Sequence, residues 1–83
     1  MDKDRYESEY NAFLHLLRDW RREREITQSQ LAAKLGWTQA DISKVETGVR
    51  RLDVIELAFW MEALGEELLS FVAQMGYDPE RDN

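Results

Sequence analysis

Eighty-three residues make one domain, residues 1–83, and the lack of cysteine excludes a disulfide scaffold and a thiolate metal site. A net charge of −6 argues against a nucleic-acid partner when it is taken as a single total. The charged first residues and the short apolar runs predict neither a signal peptide nor a membrane span, so we expect a cytoplasmic protein with no membrane partner.

The charge is distributed unevenly along the chain. Residues 18–51 carry eight basic and five acidic side chains, which sum to +3, whereas residues 52–83 carry one basic and eight acidic side chains, which sum to −7. This segregation indicates one face for an anionic partner and leaves the acidic last third as a candidate surface for a protein partner. Chance segregation on a solvated surface explains the charges equally well.

Apolar residues recur every three or four positions early in the chain and predict a long first helix from about Asp4 to Arg24. The members of this stripe are Tyr6, Tyr10, Phe13, Leu14, Leu17 and Trp20.

Three capping boxes predict the starts of the next three helices, because each pairs a capping residue with a polar residue three positions on. The pairs are Thr27 with Gln30, Thr38 with Asp41, and Asp53 with Glu56. The second, third and fourth helices are predicted to end at Gly36, Gly48 and Gly65, since glycine suits the position after a helix.

The last two helices contribute to the core in this prediction. The fourth helix is expected to turn five residues inward: Val54, Leu57, Ala58, Met61 and Leu64. A fifth helix, roughly residues 66–74, is expected to turn Leu68, Leu69 and Val72 inward, and residues 76–83 are predicted to be a flexible tail. No alternating pattern indicates a strand, so the predicted fold class is all-α.

Residues 27–48 predict two short helices that cross at a steep angle. Ala32 is small where the helices approach, and Ile42 and Val45 form a wedge between them. The front ends are polar and face outward together, which presents Gln28 and Gln39 to one target. That arrangement suits the edge of a DNA groove.

Three blocks of sequence, "TQSQLAAKLG", "TQADISKVETG" and "RRLDVIEL…ALG", occur in register. Together they resemble the phage-repressor-like (Cro-like, XRE) helix-turn-helix regulators over about residues 14–72. The resemblance implies a compact five-helix bundle of the lambda-repressor-like DNA-binding type, with the helix-turn-helix at residues 27–48. It also implies sequence-specific binding of double-stranded DNA by a transcriptional regulator, with repression expected, and it implies a homodimer.

The resemblance places the third helix, residues 38–46, in the major groove with its N-terminal half against the bases. Gln39 is the best candidate for reading a base, because its amide can bond adenine twice. Ala40 can touch a thymine methyl group, and Thr38 can do the same or simply cap the helix. Lys44 can reach a guanine edge or a phosphate.

Further positions are candidates for phosphate contacts. Gln28 matches a phosphate-binding position at the N-terminus of the second helix, where the helix dipole assists. The other candidates are Ser43, Thr47, Arg50 and Arg51. The resemblance also implies a structural ion pair between Arg21 and Glu46.

Two residues in this region have alternative roles. Asp41 is favoured as the capping partner of Thr38 over a reader of cytosine, since a carboxylate facing phosphates is repelled. Trp37 replaces the small aliphatic residue expected at the turn, and it either covers the turn or touches the sugar-phosphate backbone.

No enzyme, cofactor or metal site is predicted. His15 is the only histidine and lies beside the main apolar stripe, and no serine has a recognisable base. Metal-ligand spacing is absent.

The last two helices carry more apolar residues than one inward stripe needs. Phe59, Trp60, Phe71 and Met75 are therefore predicted to form a dimer interface, together with Tyr77. The alternative is that the first helix folds across them. A protein-interaction module, or an antitoxin-like component of a toxin-antitoxin pair, is the alternative function.

Overall fold

The structure is a computed structural model that describes residues 2–76. These residues form five helices and no strand, which confirms the predicted all-α fold. The helices are α1 (Lys3–Glu23), α2 (Gln28–Leu35), α3 (Gln39–Glu46), α4 (Val54–Ala63) and α5 (Leu68–Gln74). Tyr77 and the predicted tail beyond Gly76 lie outside the described residues.

All three predicted capping boxes are present. Thr27, Thr38 and Asp53 each accept a hydrogen bond from the backbone N–H three residues on, and each donates its own N–H to the side-chain oxygen of that same residue. Helix α1 begins one residue earlier than predicted, because Asp2 caps it by accepting from the N–H of Asp4. Local hydrogen bonds therefore set where these helices start.

Gly36 ends α2 in the left-handed conformation, with φ of 70°. The chain turns there without a steric penalty, and this lets α3 start a few residues later. Gly48, at φ of 83°, also lies against the core, where an added Cβ would come within 3.2 Å of Leu14.

All five helices contribute buried side chains to one core, in which α1 packs against α3, α4 against α2, and α5 against α4. Leu17 of α1, Leu31 of α2, and Ile42 and Val45 of α3 are completely buried. Ala32 is 3% exposed, in keeping with its predicted place at the crossing of α2 and α3. This packing holds α2 and α3 in one relative orientation. In that orientation their polar N-terminal ends face solvent together.

The predicted dimer interface is wrong at Trp60 and Phe71, because both side chains are completely buried. Phe71 packs edge-on against Phe13 and Trp20 of α1, with ring centroids 5.9 and 5.2 Å apart. Trp60 packs edge-on against Trp37 at 6.3 Å. These two aromatic residues fill the core of a small domain, and α1 covers Phe71 as the alternative interpretation required.

The predicted inward face of α4 is confirmed at Met61 and Leu64, which are buried, but three other predictions for α4 and α5 are wrong. Val54, Leu69 and Val72 were expected inside but are 64%, 79% and 46% exposed. Nearly every position of α4 is apolar, so its sequence defines no single stripe. The shape of the neighbouring helices then selects Trp60 and Met61 for burial.

Candidate nucleic-acid interface

The N-terminal ends of α2 and α3, which begin at Gln28 and Gln39, form one polar, solvent-facing surface. We call it the front surface. The predicted base-contacting residues lie on α3 or at its N-cap, and all four are exposed: Thr38, Gln39, Ala40 and Lys44. Ala40 and Lys44 are four residues apart and therefore share one side of the helix. The structure thus places the predicted reading residues along one accessible helix.

The Thr38 side chain caps α3, and Asp41 is its partner. The Asp41 carboxylate accepts from the Thr38 N–H at 3.0 Å, and the Thr38 hydroxyl accepts from the Asp41 N–H at 3.1 Å. The backbone and side-chain hydrogen bonds with Thr38 hold the pKa of Asp41 below its ordinary value. Asp41 is thus occupied within α3, as expected for a capping residue.

The two glutamines of the front surface are joined directly. Nε2 of Gln39 donates to Oε1 of Gln28 at 2.6 Å. Nε2 of Gln28 in turn donates to Oε1 of Glu46 at 3.0 Å. Gln28 was predicted from its sequence position as a phosphate contact, yet here both ends of its amide bond other side chains, and one amide hydrogen remains for a phosphate.

Glu46 and Arg21 form the ion pair that the resemblance implied. Nε of Arg21 donates to Oε2 at 2.6 Å and Nη2 donates to Oε1 at 2.9 Å, a bidentate geometry. Arg21 also donates through Nη1 to the carbonyl of Ile26, and Arg18 donates to the Glu46 carbonyl. These bonds tie α1 to the end of α3 and to the loop before α2.

Glu46 carries a charge although its side chain is almost completely buried. Burial raises the pKa of Glu46, but the hydrogen bonds from Arg21 and Gln28 outweigh this effect and lower it below its ordinary value. A charged carboxylate that accepts three side-chain hydrogen bonds therefore lies directly behind the front surface.

Two of the predicted phosphate contacts lie near the C-terminal end of α3. Ser43 is half-buried and Thr47 is exposed. The Thr47 hydroxyl donates to the Ser43 carbonyl at 2.8 Å, so its proton already has a partner inside the helix. Thr47 acts as a local cap in this conformation.

Arg50 lies against Trp37 rather than in open solvent. Its guanidinium carbon is 3.9 Å from the centre of the Trp37 ring, and its Nη2 donates to Glu56 at 2.8 Å. Trp37 is thereby held between Arg50 and the buried ring of Trp60. Of the two roles left open for Trp37, the structure supports the one in which it covers the turn.

Arg51 is bound to the N-terminal half of α1. Its Nη1 donates to the Tyr6 hydroxyl at 2.7 Å, and its guanidinium lies over the Tyr10 ring at 4.3 Å. Burial raises the pKa of the Tyr10 phenol, although the positive charge of Arg51 opposes this. The arginine thus anchors the exposed end of α1 to the loop after α3.

Sequence reasoning missed the partners of these arginines and one further ion pair. Arg24 donates to Glu66 at 2.9 Å and lies 4.3 Å from the Trp20 ring. The partners are 42 residues apart, and no local pattern links them. Such pairs become visible only when the helices are packed.

Comparison with known proteins identifies the family. A family model for helix-turn-helix proteins matches residues 17–71. The structure is similar to that of an XRE-family like protein from Pseudomonas syringae pv. tomato str. DC3000, with a TM-score of 0.83 and 37% sequence identity over 88% of this chain and 89% of that one. The chain belongs to the XRE-type helix-turn-helix family of DNA-binding transcriptional regulators. No curated protein matches the chain.

In this XRE-family chain, α2 and α3 are the two helices of the family motif. The match from residue 17 to residue 71 takes in the core residues Leu17 and Phe71 as well as the motif, so it extends over most of the packed domain. Among residues 2–76, no helix combines the length and the apolar character needed to cross a membrane.

Proposed function

We propose that this chain is a sequence-specific transcriptional repressor that places α3 in the major groove of double-stranded DNA. The observation that carries the proposal is the linked pair of amides at the front surface, Gln39 to Gln28 at 2.6 Å, backed by the charged Glu46. Held side chains give up little conformational entropy when they bind, and this favours a defined hydrogen-bonding pattern over loose association. We propose a cytoplasmic binding protein rather than an enzyme, as is typical of the family.

The reading residues are Thr38, Gln39, Ala40 and Lys44. Gln39 bonds a base edge, Ala40 contacts a methyl group, and Lys44 reaches a guanine or a phosphate. Lys44 is a cation in the last turn of α3 and supplies positive charge directly at the groove.

Phosphates are held on either side of α3. Arg50 and Arg51 each use part of their guanidinium for the contacts with Glu56 and Tyr6, and a guanidinium has five N–H donors. The donors that remain are available to phosphates, and the internal contacts hold the groups in position. Gln28 at the start of α2, and Ser43 and Thr47 toward the end of α3, are the further phosphate contacts that support the register of the protein on DNA.

Selection of bound fragments from a random DNA pool tests the proposal. We expect enrichment of one motif containing adenine at the position read by Gln39, and binding that weakens steeply as salt rises, with a logarithmic slope of about −0.9 per phosphate contacted. Recovery of no motif, with binding insensitive to salt, would contradict sequence-specific DNA binding. That result would favour the alternative of a protein-interaction module or an antitoxin-like component.

We further propose that the chain binds DNA as a homodimer. The revised interface keeps Phe59 and Met75, which are 57% and 37% exposed, and adds Ile55, one helical turn before Phe59 and 61% exposed. A two-fold dimer would read half-sites about 34 Å apart, so the selected motif should be a palindrome. Sedimentation that finds a monomer on a full site would instead leave this surface, which belongs to the acidic last third of the chain, to a different protein partner.

A further inference from the structure

A continuous set of hydrogen bonds runs from the protein interior to the tip of Gln39. Arg21 donates to Oε1 of Glu46 at 2.9 Å, Gln28 donates to the same oxygen at 3.0 Å, and Gln39 donates to Gln28 at 2.6 Å. Glu46 is 2% exposed, whereas Gln39 is open to solvent. We call Glu46, Gln28 and Gln39 the relay.

The chemistry of Glu46 decides how Gln28 is oriented. An ionised carboxylate accepts hydrogen bonds and donates none, so only the amide nitrogen of Gln28 can face it. Arg21 keeps the carboxylate ionised by its bidentate contact. Gln28 must therefore turn its oxygen toward Gln39.

The orientation of Gln28 decides that of Gln39 in the same way. The Gln28 oxygen accepts from the Gln39 nitrogen, and a reversed Gln39 would place two carbonyl oxygens against each other. The relay thus uses one N–H of Gln39. It leaves the Gln39 oxygen and one N–H to face a partner.

One donor and one acceptor match adenine, whose major-groove edge offers the N7 acceptor and the N6 donor. Guanine offers two acceptors, N7 and O6, and needs two donors from the protein. We propose that Glu46 is a positioning residue that acts through Gln28 to make Gln39 select adenine over guanine. This inference rests on the proposed function, in which Gln39 reads a base.

The variant Glu46→Gln tests the relay because it replaces the carboxylate with an amide of nearly the same size. Arg21 N–H groups face both ends of that amide, so its nitrogen meets an Arg21 donor in either orientation and the amide no longer fixes one orientation of Gln28. Where the amide nitrogen faces Gln28, Gln28 can reverse and donate to the oxygen of Gln39. Both N–H groups of Gln39 would become available to a base. We expect the preference for adenine over guanine at this base pair to fall by roughly tenfold.

Two matched variants separate positioning from stability. Arg21→Lys disturbs the same buried ion pair but keeps the carboxylate, so we expect a lower melting temperature with an unchanged preference for adenine. Gln28→Met interrupts the relay at a half-buried position without removing a buried charge. We expect it to stay folded and to reduce adenine preference as Glu46→Gln does.

The binding measurements compare the selected site with a site carrying guanine for adenine, at one salt concentration, for the wild type and all three variants. Side-chain amide NMR spectra of the free proteins add a readout that needs no DNA. In the wild type, we expect one Gln39 amide proton to exchange slowly with solvent, and Gln28→Met should abolish this protection.

A wild-type preference retained in both Glu46→Gln and Gln28→Met would overturn the relay and leave the proposed function standing, even if Gln28→Met binds every site more weakly because it loses a phosphate contact. An equal reduction of adenine preference in Arg21→Lys would also overturn it, because the effect would then follow stability. A wild type that selects no sequence would overturn the proposed function itself, and the relay's role in selection with it.

Discussion

Arg21 and Glu46 are 25 residues apart in the chain, yet they form a bidentate ion pair whose two side chains are 8% and 1% exposed. The pair connects the middle of the domain to its front surface, because the same carboxylate also accepts from Gln28. One buried charge thereby contributes to the packing of α3 and to the arrangement of the candidate reading residue.

We expect Glu46→Ala to destabilise the fold by roughly 3 kcal/mol, since it leaves the buried guanidinium of Arg21 without its carboxylate. Urea unfolding of Glu46→Ala, Arg21→Ala and the double variant measures the coupling between them. The double variant should be destabilised by much less than the sum of the two single variants. Purely additive effects would mean that the ion pair contributes nothing.

Stability should fall at acid pH because of the same carboxylate. Burial raises the pKa of Glu46, but the Arg21 and Gln28 hydrogen bonds leave it below the ordinary value of 4.5. The folded state therefore binds fewer protons than the unfolded state near that pH, so the stabilisation is present above pH 4.5 and is lost as the pH falls through the lowered folded pKa.

Urea unfolding of the wild type and Glu46→Gln across this range measures the effect. The free energy of unfolding of the variant should depend less on acid pH than that of the wild type. Asp41→Asn is the companion variant, because the pKa of Asp41 is also lowered, chiefly by its bond to the Thr38 N–H. Equal pH dependence in the wild type and Glu46→Gln would show that folding does not lower the pKa of Glu46.

Gln39→Ala should weaken binding to the selected site by roughly 1–3 kcal/mol, the amount that a bidentate pair with a base contributes to discrimination. The effect should be smaller on a site altered at one base pair in each half, and nearly absent on random DNA. The measurement is a matrix of binding constants for single-base operator variants. Equal weakening on every variant would mean that reading lies elsewhere on α3.

Lys44→Ala is the comparison variant for that experiment. If Lys44 holds a phosphate, the substitution weakens the selected site and random DNA together. If it holds a guanine, only the selected site is affected.

Substituting Arg50 and Arg51 with Ala should weaken binding to all DNA sequences alike, and each phosphate interaction removed should reduce the logarithmic salt slope by roughly one. The structure supplies a control for Arg50, because Glu56→Gln removes the ion-pair partner and keeps the cation. That control should retain the full salt slope. An unchanged slope in the double arginine variant would remove both residues from the DNA interface.

Phe59→Glu and Trp60→Glu should behave differently although they alter adjacent residues. Phe59 is 57% exposed, so the variant should stay folded, become monomeric and bind DNA weakly. Trp60 is completely buried, and a carboxylate there should unfold the domain. Sedimentation and thermal melts distinguish the two outcomes, and a Phe59→Glu dimer would contradict the proposed interface.

Local sequence determined where the helices begin. The capping boxes at Thr27, Thr38 and Asp53 act over three residues, so the local sequence is enough to specify the starts of α2, α3 and α4. For the same reason, the pattern of residues 27–48 was sufficient to predict two short helices with exposed polar front ends. The ion pair of Arg21 with Glu46 was predicted through family resemblance rather than from local chemistry.

Tertiary structure alone decided which apolar residues are buried and which partners the long polar side chains take. Helix α4 is apolar at most positions, so its burial depends on the space that α1, α2 and α5 leave, and Trp60 fits that space while Phe59 does not. Arg51 reaches Tyr6 across 45 residues of chain, and Gln28 reaches Glu46 across 18. Helix periodicity relates residues three and four apart, whereas these contacts arise only when separate helices pack together.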